Sequence, residues 1–377
     1  MLDVLVVGAG PAGAVAATLL ARAGARVRLV DRSVFPRDKL CGDTVNPGTL
    51  AVLKRLRLAS GVETCGLPID GMRVSGARGV VVEGRYPAGV VGRALLRRHF
   101  DWMLVEDAMR AGVQFEPGVV VRGALVDAGR VAGVTLADGR TWRAAVTIAA
   151  DGRRSTLAFG LGLAAHPRAP RRWAIGAYID DAGPRAAPER FGEMHIRAGR
   201  YIGIAPVPGG LTNICVVIPW TPGDAAIGNP RQVVADTLAR DSMLRDRFAG
   251  ARIEMPPVVL GPLAVDARDA HVDGLLLAGD AAGFIDPMTG DGLHFAIRGA
   301  ELAAGAAHDA LAHGWGGVHA RLARTRRSEF AAKWRFNRAV RALVARPAAV
   351  TLASAGARVA PAVLRRAMIY AGDCDRC

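Results

Sequence analysis

No uninterrupted apolar run in the 377-residue chain approaches the roughly 18 residues that a bilayer-crossing helix requires. Cysteine is sparse. Cys41, Cys65, Cys215, Cys374 and Cys377 are too few and too scattered for a disulfide framework in a chain of this length, so thiols are expected. No repeat recurs at a period of about 20 to 50 residues, which excludes a solenoid. The first apolar strand begins within three residues of Met1, leaving no place for the segments of a secretion signal, and the cytoplasm is the expected compartment. Acidic residues are also short: 34 Asp and Glu face 49 Lys and Arg, for a net charge of +15. That surplus is nearly all arginine and is spread along the chain, as the base composition of a genome would spread it. No nucleic-acid partner is expected. The densest stretch, Arg321 to Arg346, sets nine basic residues against Glu329 alone, interleaved with Phe330, Trp334, Phe336, Leu343 and Val344. Such a helix suits peripheral contact with a membrane surface, an acidic carrier protein or a CoA-like tail, and a solvated helix face gives the same pattern.

What is present is 51% hydrophobic and 22% charged, ordinary for a globular chain with room for two domains. Three remote segments carry the chemistry. Gly8-Ala-Gly-Pro-Ala-Gly13 follows the apolar run Val4 to Val7 and precedes a helix-forming run to Ala23, a strand, turn and helix in sequence. Gly8 suits the tight turn, Gly10 a close approach of backbone to a pyrophosphate, and Gly13 close packing of helix on strand. The free amides of the first helical turn, which includes Ala12, and the positive end of the helix dipole favour an anion there. A second strand, Arg26 to Val30, ends in Asp31, eighteen residues past Gly13, placed to accept from the ribose hydroxyls of an adenosine, with Arg32 beside it. Val146 to Ala150 reads as a buried strand delivering Asp151-Gly152. Leu275 to Ala278 delivers Gly279-Asp280, and Asp280 suits a polyol such as a ribityl chain. Gly290-Asp291-Gly292 then opens a helix through about Leu311, whose N-terminus would stabilise charge on a reduced flavin by roughly 0.3 to 2 kcal/mol. Together the three segments specify FAD.

The remaining pattern gives an α/β fold: a Rossmann-like FAD-binding domain, an inserted antiparallel β-sheet substrate domain, and C-terminal helices. The boundaries read as 1–68, 91–164 and 266–315 for the FAD-binding domain, 69–90 and 165–265 for the substrate domain, and 316–377 for the helical region. Asn46 and Pro47 start a helix through about Leu58. A second helix runs from about Arg93 to Ala111, stopped by Gly112. Val113 to Gly139 reads as a small β-meander, 173–179, 193–196, 201–206 and 212–218 as strands, and Pro230 to Arg247 as a helix.

Over residues 1 to about 310, with these three fingerprints in order, the chain resembles the flavoprotein superfamily of aromatic-ring hydroxylases, geranylgeranyl reductases and flavin-dependent halogenases. The resemblance implies FAD contact for Asp151 and Gly152, and for Arg97 in a stretch similar to the family's Arg-x-x-Phe-Asp element, with Arg98 as the alternative. Lys39-Leu-Cys-Gly-Asp43 and Asp286-Pro-Met-Thr-Gly-Asp-Gly292 are most similar to the geranylgeranyl-reductase branch. That branch carries Tyr-x-Trp-x-Phe-Pro where this chain reads Tyr201-Ile-Gly-Ile-Ala-Pro206, which argues against a geranylgeranyl substrate. Halogenases are less similar, because Trp-x-Trp-x-Ile-Pro and a matching lysine are absent; Lys54 lies on a helix.

The resemblance puts Cys41 beside the isoalloxazine, and with Arg37 and Lys39 nearby it is a candidate for thiol chemistry, or else a small core residue. His294, in the first turn after Gly292, is a candidate to contact substrate or flavin, and a packed histidine fits equally. His195 and Tyr201 are weaker pocket candidates. Cys374-x-x-Cys377 has the spacing of a redox or metal pair but no second pair, and no metal is expected. The leading expectation is an FAD-dependent oxidoreductase that passes NAD(P)H-derived electrons to a small hydrophobic or aromatic substrate, free or linked to a carrier or CoA. No second G-x-G-x-x-G follows a strand, so NAD(P)H binds transiently or a separate flavin reductase supplies the electrons. The missing isoprenoid element tips the expectation toward a monooxygenase that hydroxylates, with reduction of a carbon–carbon double bond as the alternative. A non-catalytic flavin-binding carrier or sensor protein and a flavin-free NAD-linked dehydrogenase are the readings from other classes.

Overall fold

The structure, a computed structural model, describes residues 2–168, 171–180, 190–220, 228–268 and 270–374. The apolar run at the N-terminus becomes β1 (Leu2–Val7), the centre of a seven-stranded sheet. β1 pairs in parallel with β2 (Val27–Asp31) and β11 (Thr141–Ala149); β2 pairs in parallel with β8 (Gln114–Pro117). The C-terminal stretch Thr147–Ala149 of β11 pairs in parallel with β20 (Leu275–Leu277), while its first half pairs antiparallel with β10 (Arg130–Leu136), and β10 with β9 (Val121–Asp127). Buried on both faces, β1 shows no apolar/polar alternation. Val4 and Val6 enter one core with α1 (Pro11–Arg22), α4 (Arg97–Arg110) and α7 (Gly292–His313); Leu5 and Val7 enter a second with the β9–β11 meander and α5 (Thr156–Gly160).

A second, eight-stranded sheet runs β17 (Arg252–Ile253), β13 (Arg172–Asp180), β16 (Leu211–Pro219), β15 (Arg200–Pro206), β14 (Phe191–Arg197), β5 (Gly71–Ser75), β6 (Val81–Arg85), with β18 (Val258–Leu260) also on β13. It is antiparallel except for the β5–β14 pair. Its outer face, with Ile175, Ala177, Ile202, Ile204, Ile214 and Val216, is covered by α6 (Pro230–Arg240). The inner face, with Ala174, Tyr201, Cys215 and Val217, packs on Leu40, Met288 and Val344 of α8 (Val318–Val344). Small sheets of β3 (Thr44–Val45), β7 (Gly92–Ala94) and β4 (Leu67–Ile69), and of β12 (Ala164–Ala165) and β19 (Asp266–Ala267), join the two halves. The remaining helices are α2 (Pro47–Arg55), α3 (Ser60–Cys65), α9 (Pro347–Val359) and α10 (Pro361–Ala371).

Four boundaries differ from the sequence expectation, the first being the helix placed through about Leu58, which ends at Arg55. The helix placed from Arg93 starts at Arg97, because Gly92–Ala94 is drawn into β7 by pairing with β3 and β4. The helix placed to Arg247 ends at Arg240, where Asp241 turns extended and its carboxylate accepts from the Met243 amide and from Arg197. Gln114–Pro117 joins the parallel sheet beside β2 instead of the meander. Phe100, fully buried between α4 and the first core, anchors this layer. Phe100→Ala is expected to cost about 3–5 kcal/mol of stability, read from the midpoint of denaturant-induced unfolding.

Candidate active site

The turn after β1 is set by contacts that no side chain tolerates. Gly8 sits at φ +99°, and a Cβ there would meet the Asp151 Cα at 2.7 Å. A Cβ on Gly13 would overlap the Gly8 carbonyl oxygen, so α1 reaches β1 only because position 13 is glycine. One on Gly279 would meet the Ala12 Cβ at 2.8 Å. The three segments therefore touch one another around the N-terminus of α1. Gly10 caps that helix without a side-chain hydrogen bond, and its first turn holds no acidic residue, leaving the positive end open to an anion. A Cβ on Gly10 would find Arg37 Nη2 nearest, at 3.7 Å, so a guanidinium borders this opening.

Asp31, at the end of β2, accepts from the Ala9 amide through Oδ2 and from the Ser33 amide through Oδ1, both at 2.8 Å. It thus holds the phosphate turn in place; Arg32 is exposed beside it. Asp151 accepts from the Thr156 amide at 2.7 Å, while its Oδ1 is buried with no hydrogen-bond partner among the described residues. Burial raises its pKa. Gly152, at φ +85°, lets the chain turn toward α5. Asp280 lies in the electrostatic reach of Lys39 and Arg153. Lys39, which sequence reading left without a role of its own, has its pKa lowered by burial and by Arg97. Glycine cradles, an uncapped helix N-terminus, an orphaned carboxylate oxygen and a rim of cations form a donor set that fits an anionic dinucleotide such as FAD.

Arg97 is buried and grips Asp101 with two hydrogen bonds of 2.7 Å; Asp101 also meets Arg37 at 3.1 Å. Although burial opposes its charge, the Asp101 carboxylate keeps Arg97 firmly protonated. Arg98 faces outward toward Asp38. Cys41 lies in the electrostatic reach of Arg97, and of Tyr178 and Cys215 on the inner sheet face. Burial pushes the Cys215 thiol up to about 12, with Cys41 adding to the effect.

Asp43 is the node that sequence reading missed. It is buried at φ +52°; Tyr178 Oη and Asn213 Nδ2 both donate to its Oδ2 at 2.6 Å, and the Arg97 amide donates to Oδ1 at 3.3 Å. Asn213 also donates to the Cys41 carbonyl at 3.0 Å, so two adjacent strands of the second sheet hold the Cys41–Asp43 loop. The loop was legible as functional, but its partners Tyr178 and Asn213 carry no local motif.

Gly290, at φ +72°, closes the turn before α7. Asp291 caps α7 without a side-chain hydrogen bond to it; Oδ1 instead meets Lys333 Nζ of α8 at 3.1 Å. Gly292 follows at the first helical position, with Phe284 the nearest group to a Cβ there, at 3.6 Å. Lys333 also donates to the Ala371 carbonyl at 3.0 Å and meets Asp373 at 3.1 Å. His294 is buried and faces Asp373 at 3.8 Å, so the structure ties it to the end of α10. His195 points to the outer face, where it bonds Ser75 and Glu193, away from the inner face. Tyr201 lies on the inner face and donates to Asp286 at 2.5 Å. Lys54 is half-exposed on α2 and paired with Glu63. Cys374 is buried, and Cys377 lies outside the described residues. Cys41, Cys65 and Cys215 are free thiols, and no group of metal ligands occurs among the described residues.

Comparison with known proteins decides the family: the FAD binding domain family matches residues 1–318. The chain belongs to the FAD-binding domain family. It is an FAD-dependent oxidoreductase, and a flavoprotein similar to the geranylgeranyl reductases. The menaquinone reductase of Mycolicibacterium smegmatis is 34% identical over 317 residues, spanning 80% of this chain and 75% of the relative. A digeranylgeranylglycerophospholipid reductase of Methanopyrus kandleri is 31% identical, over 82% of this chain and 81% of the relative. In fold, the oxidoreductase matches the flavin-dependent brominase Bmp2 with a TM-score of 0.83 over 99% of this chain and 94% of the brominase, at 19% identity. The myxobacterial halogenase CndH matches with a TM-score of 0.81 over 89% and 81%, at 22% identity. At these identities the two structures show the fold alone. The superfamily, the fold class and FAD itself stand as the sequence led us to expect.

Burial, outweighing the Tyr178 and Asn213 hydrogen bonds, raises the Asp43 carboxyl to about 6. A carboxyl whose folded pKa lies above its unfolded one favours the fold while protonated, and that contribution is lost as pH rises from about 4 through about 6. Asp43→Asn is expected to flatten the fall in thermal midpoint over this window, by the equivalent of about 2 kcal/mol or less. An unchanged pH profile in the variant contradicts the assignment.

Proposed function

We propose that this oxidoreductase saturates a carbon–carbon double bond of an apolar, isoprenoid-type substrate lying on the inner face of the second sheet. The carrying observation is the position of Cys41, whose carbonyl accepts from Asn213 of the second sheet at 3.0 Å and whose loop is tied through Asp43 to the Arg97 amide on the cofactor side. The relatives support it: both are reductases by name, of menaquinone and of digeranylgeranylglycerophospholipids, lipids that bear unsaturated isoprenoid chains.

Gly8, Gly10, Ala12 and Gly13 would hold the pyrophosphate with α1, Asp31 and Arg32 the adenosine, Asp151 and Gly279-Asp280 the ribityl chain, and Gly290 to Gly292 the pyrimidine edge. When bound, FAD supplies the hydride equivalent. Arg97, locked on Asp101, orients the Cys41 thiol. Cys41 Sγ–H gives a proton to the second alkene carbon, and the guanidinium of Arg97 stabilises the sulfur anion left behind. Asp43 and Asn213 fix the loop so that the thiol stays at this joint. Leu40, seated on Gly176, keeps water from the apolar side.

In register, Gly203 and Ala205 stand on the inner face where the geranylgeranyl branch has Trp and Phe. A Cβ on Gly203 would have only ordinary contacts, 3.8 Å to Met194 Cε and 3.9 Å to the Cys215 carbonyl. Missing aromatic rings thus leave a more open groove for a bulkier chain or ring, a reading that also admits the hydroxylation favoured at the sequence level. NAD(P)H or a separate flavin reductase is the proposed electron source, and the cytoplasm the proposed compartment, consistent with free thiols.

The distinguishing experiment supplies chemically reduced enzyme with prenylated quinone or geranylgeranyl lipid, with and without air. Product heavier by two hydrogens, formed without air and without oxygen uptake, is expected. An oxygen-containing product formed only in air contradicts the proposal. Cys41→Ser is expected to lower turnover by about a hundredfold at unchanged flavin content.

A further inference from the structure

α9 and α10 meet at a bend of 109° around Ala360. From Phe330 through Gly372 the sequence holds eight basic residues and no acidic one, and no charge at all between Arg346 and Arg358. Leu352, Val359 and Val363 project from this elbow with 75%, 88% and 70% of their surfaces exposed. Of the large apolar side chains elsewhere among the described residues, only Val34 is comparably exposed. Arg346, Arg358, Arg365 and Arg366 are exposed around them.

The opposite side of the elbow is firmly seated. Ser354 Oγ accepts from the Ala77 amide at 3.0 Å, and Met368 packs with Val80, Val82, Val74, Ala357 and Leu364. The outward aliphatic groups are therefore held away from the body by a fixed base. We propose that the elbow seats the protein on the surface of an anionic lipid bilayer. Leu352, Val359 and Val363 enter the interfacial layer while the four arginines meet lipid phosphates.

Three observations select this occupant. At 13 residues, α9 reaches about 20 Å, too short to cross a hydrocarbon core of about 30 Å, so the helices lie on the layer instead of spanning it. A second copy would bring two arginine rims together with no acidic residue between Phe330 and Gly372 to compensate. The aliphatic groups stand on both sides of a bend, forming a crest suited to insertion into a lipid layer. The same strand edge leads inward: Val74 registers with Met194, Met194 with Gly203, and Gly203 with Cys215. An apolar row thus connects the elbow to the neighbourhood of Cys41. Docking goes beyond the proposed reaction and holds for either reaction type.

The test is co-sedimentation of the full-length, FAD-loaded protein with vesicles of phosphatidylcholine alone or mixed with phosphatidylglycerol. Binding to the mixed vesicles, absent on phosphatidylcholine and weakened by salt, is expected. The combined substitutions Leu352→Ser, Val359→Ser and Val363→Ser are expected to weaken binding by about tenfold or more. Arg346→Gln, Arg358→Gln and Arg366→Gln together should do the same at unchanged flavin absorbance and circular dichroism. Wild-type protein left in the supernatant with mixed vesicles overturns the proposal. So does wild-type binding by both variants, or an oligomer seen by light scattering that the serine variant abolishes. Enzyme activity on a detergent-solubilised substrate reports separately on the reaction.

Discussion

The approach of α1 to β1 is the constraint on which the remaining geometry rests. Because position 13 carries no side chain, the helix lies against the Gly8 carbonyl, and its uncapped N-terminus opens where the carboxyl ends of the parallel strands converge. Gly8 in turn lies against Asp151, and Ala12 against Gly279. A larger residue at any of these points pushes the phosphate turn away from the strand ends that flank it. Asp31 completes the arrangement by receiving the Ala9 amide, which ties the turn to the neighbouring strand.

A second constraint joins this cleft to the sheet that faces it. The Leu40–Asp43 loop leaves the parallel layer and is clamped by Tyr178 and Asn213 of the second sheet, while Asp43 also receives the first amide of α4. Burying a carboxylate is costly without donors, and three donors converge on this one. Cys41 and Arg97 take their relative positions from that clamp. On the far side, Lys333 joins Asp291 at the start of α7 to the chain after α10, so the C-terminal helices brace the same region.

The sequence made the local parts legible. Strand, turn, helix and terminal acid from Val4 to Asp31 follow one another along the chain, and each is set by neighbours within a few residues. Asn46 capping α2, with its side chain accepting from the Thr49 amide, is legible for the same reason. Arg97 was marked only through the family resemblance, and its grip on Asp101 adds the reason for its burial. What escaped is non-local. The start of α4 moves from Arg93 to Arg97 only because β3 and β4 lie beside β7, and the Asp43 contacts span 135 and 170 positions. His195 looked like a pocket residue until strand alternation placed it on the outer face of the sheet, bonded to Ser75 and Glu193.

The central physical claim is that the cleft recognises a pyrophosphate-bridged flavin through the open end of α1 and not the ring system alone. Titrating flavin-free protein with FAD and with FMN, followed by calorimetry, tests it most directly. FAD should bind tightly and FMN, which lacks the bridge and the adenosine, should bind far more weakly. Equal binding of the two, or binding of neither, would contradict it.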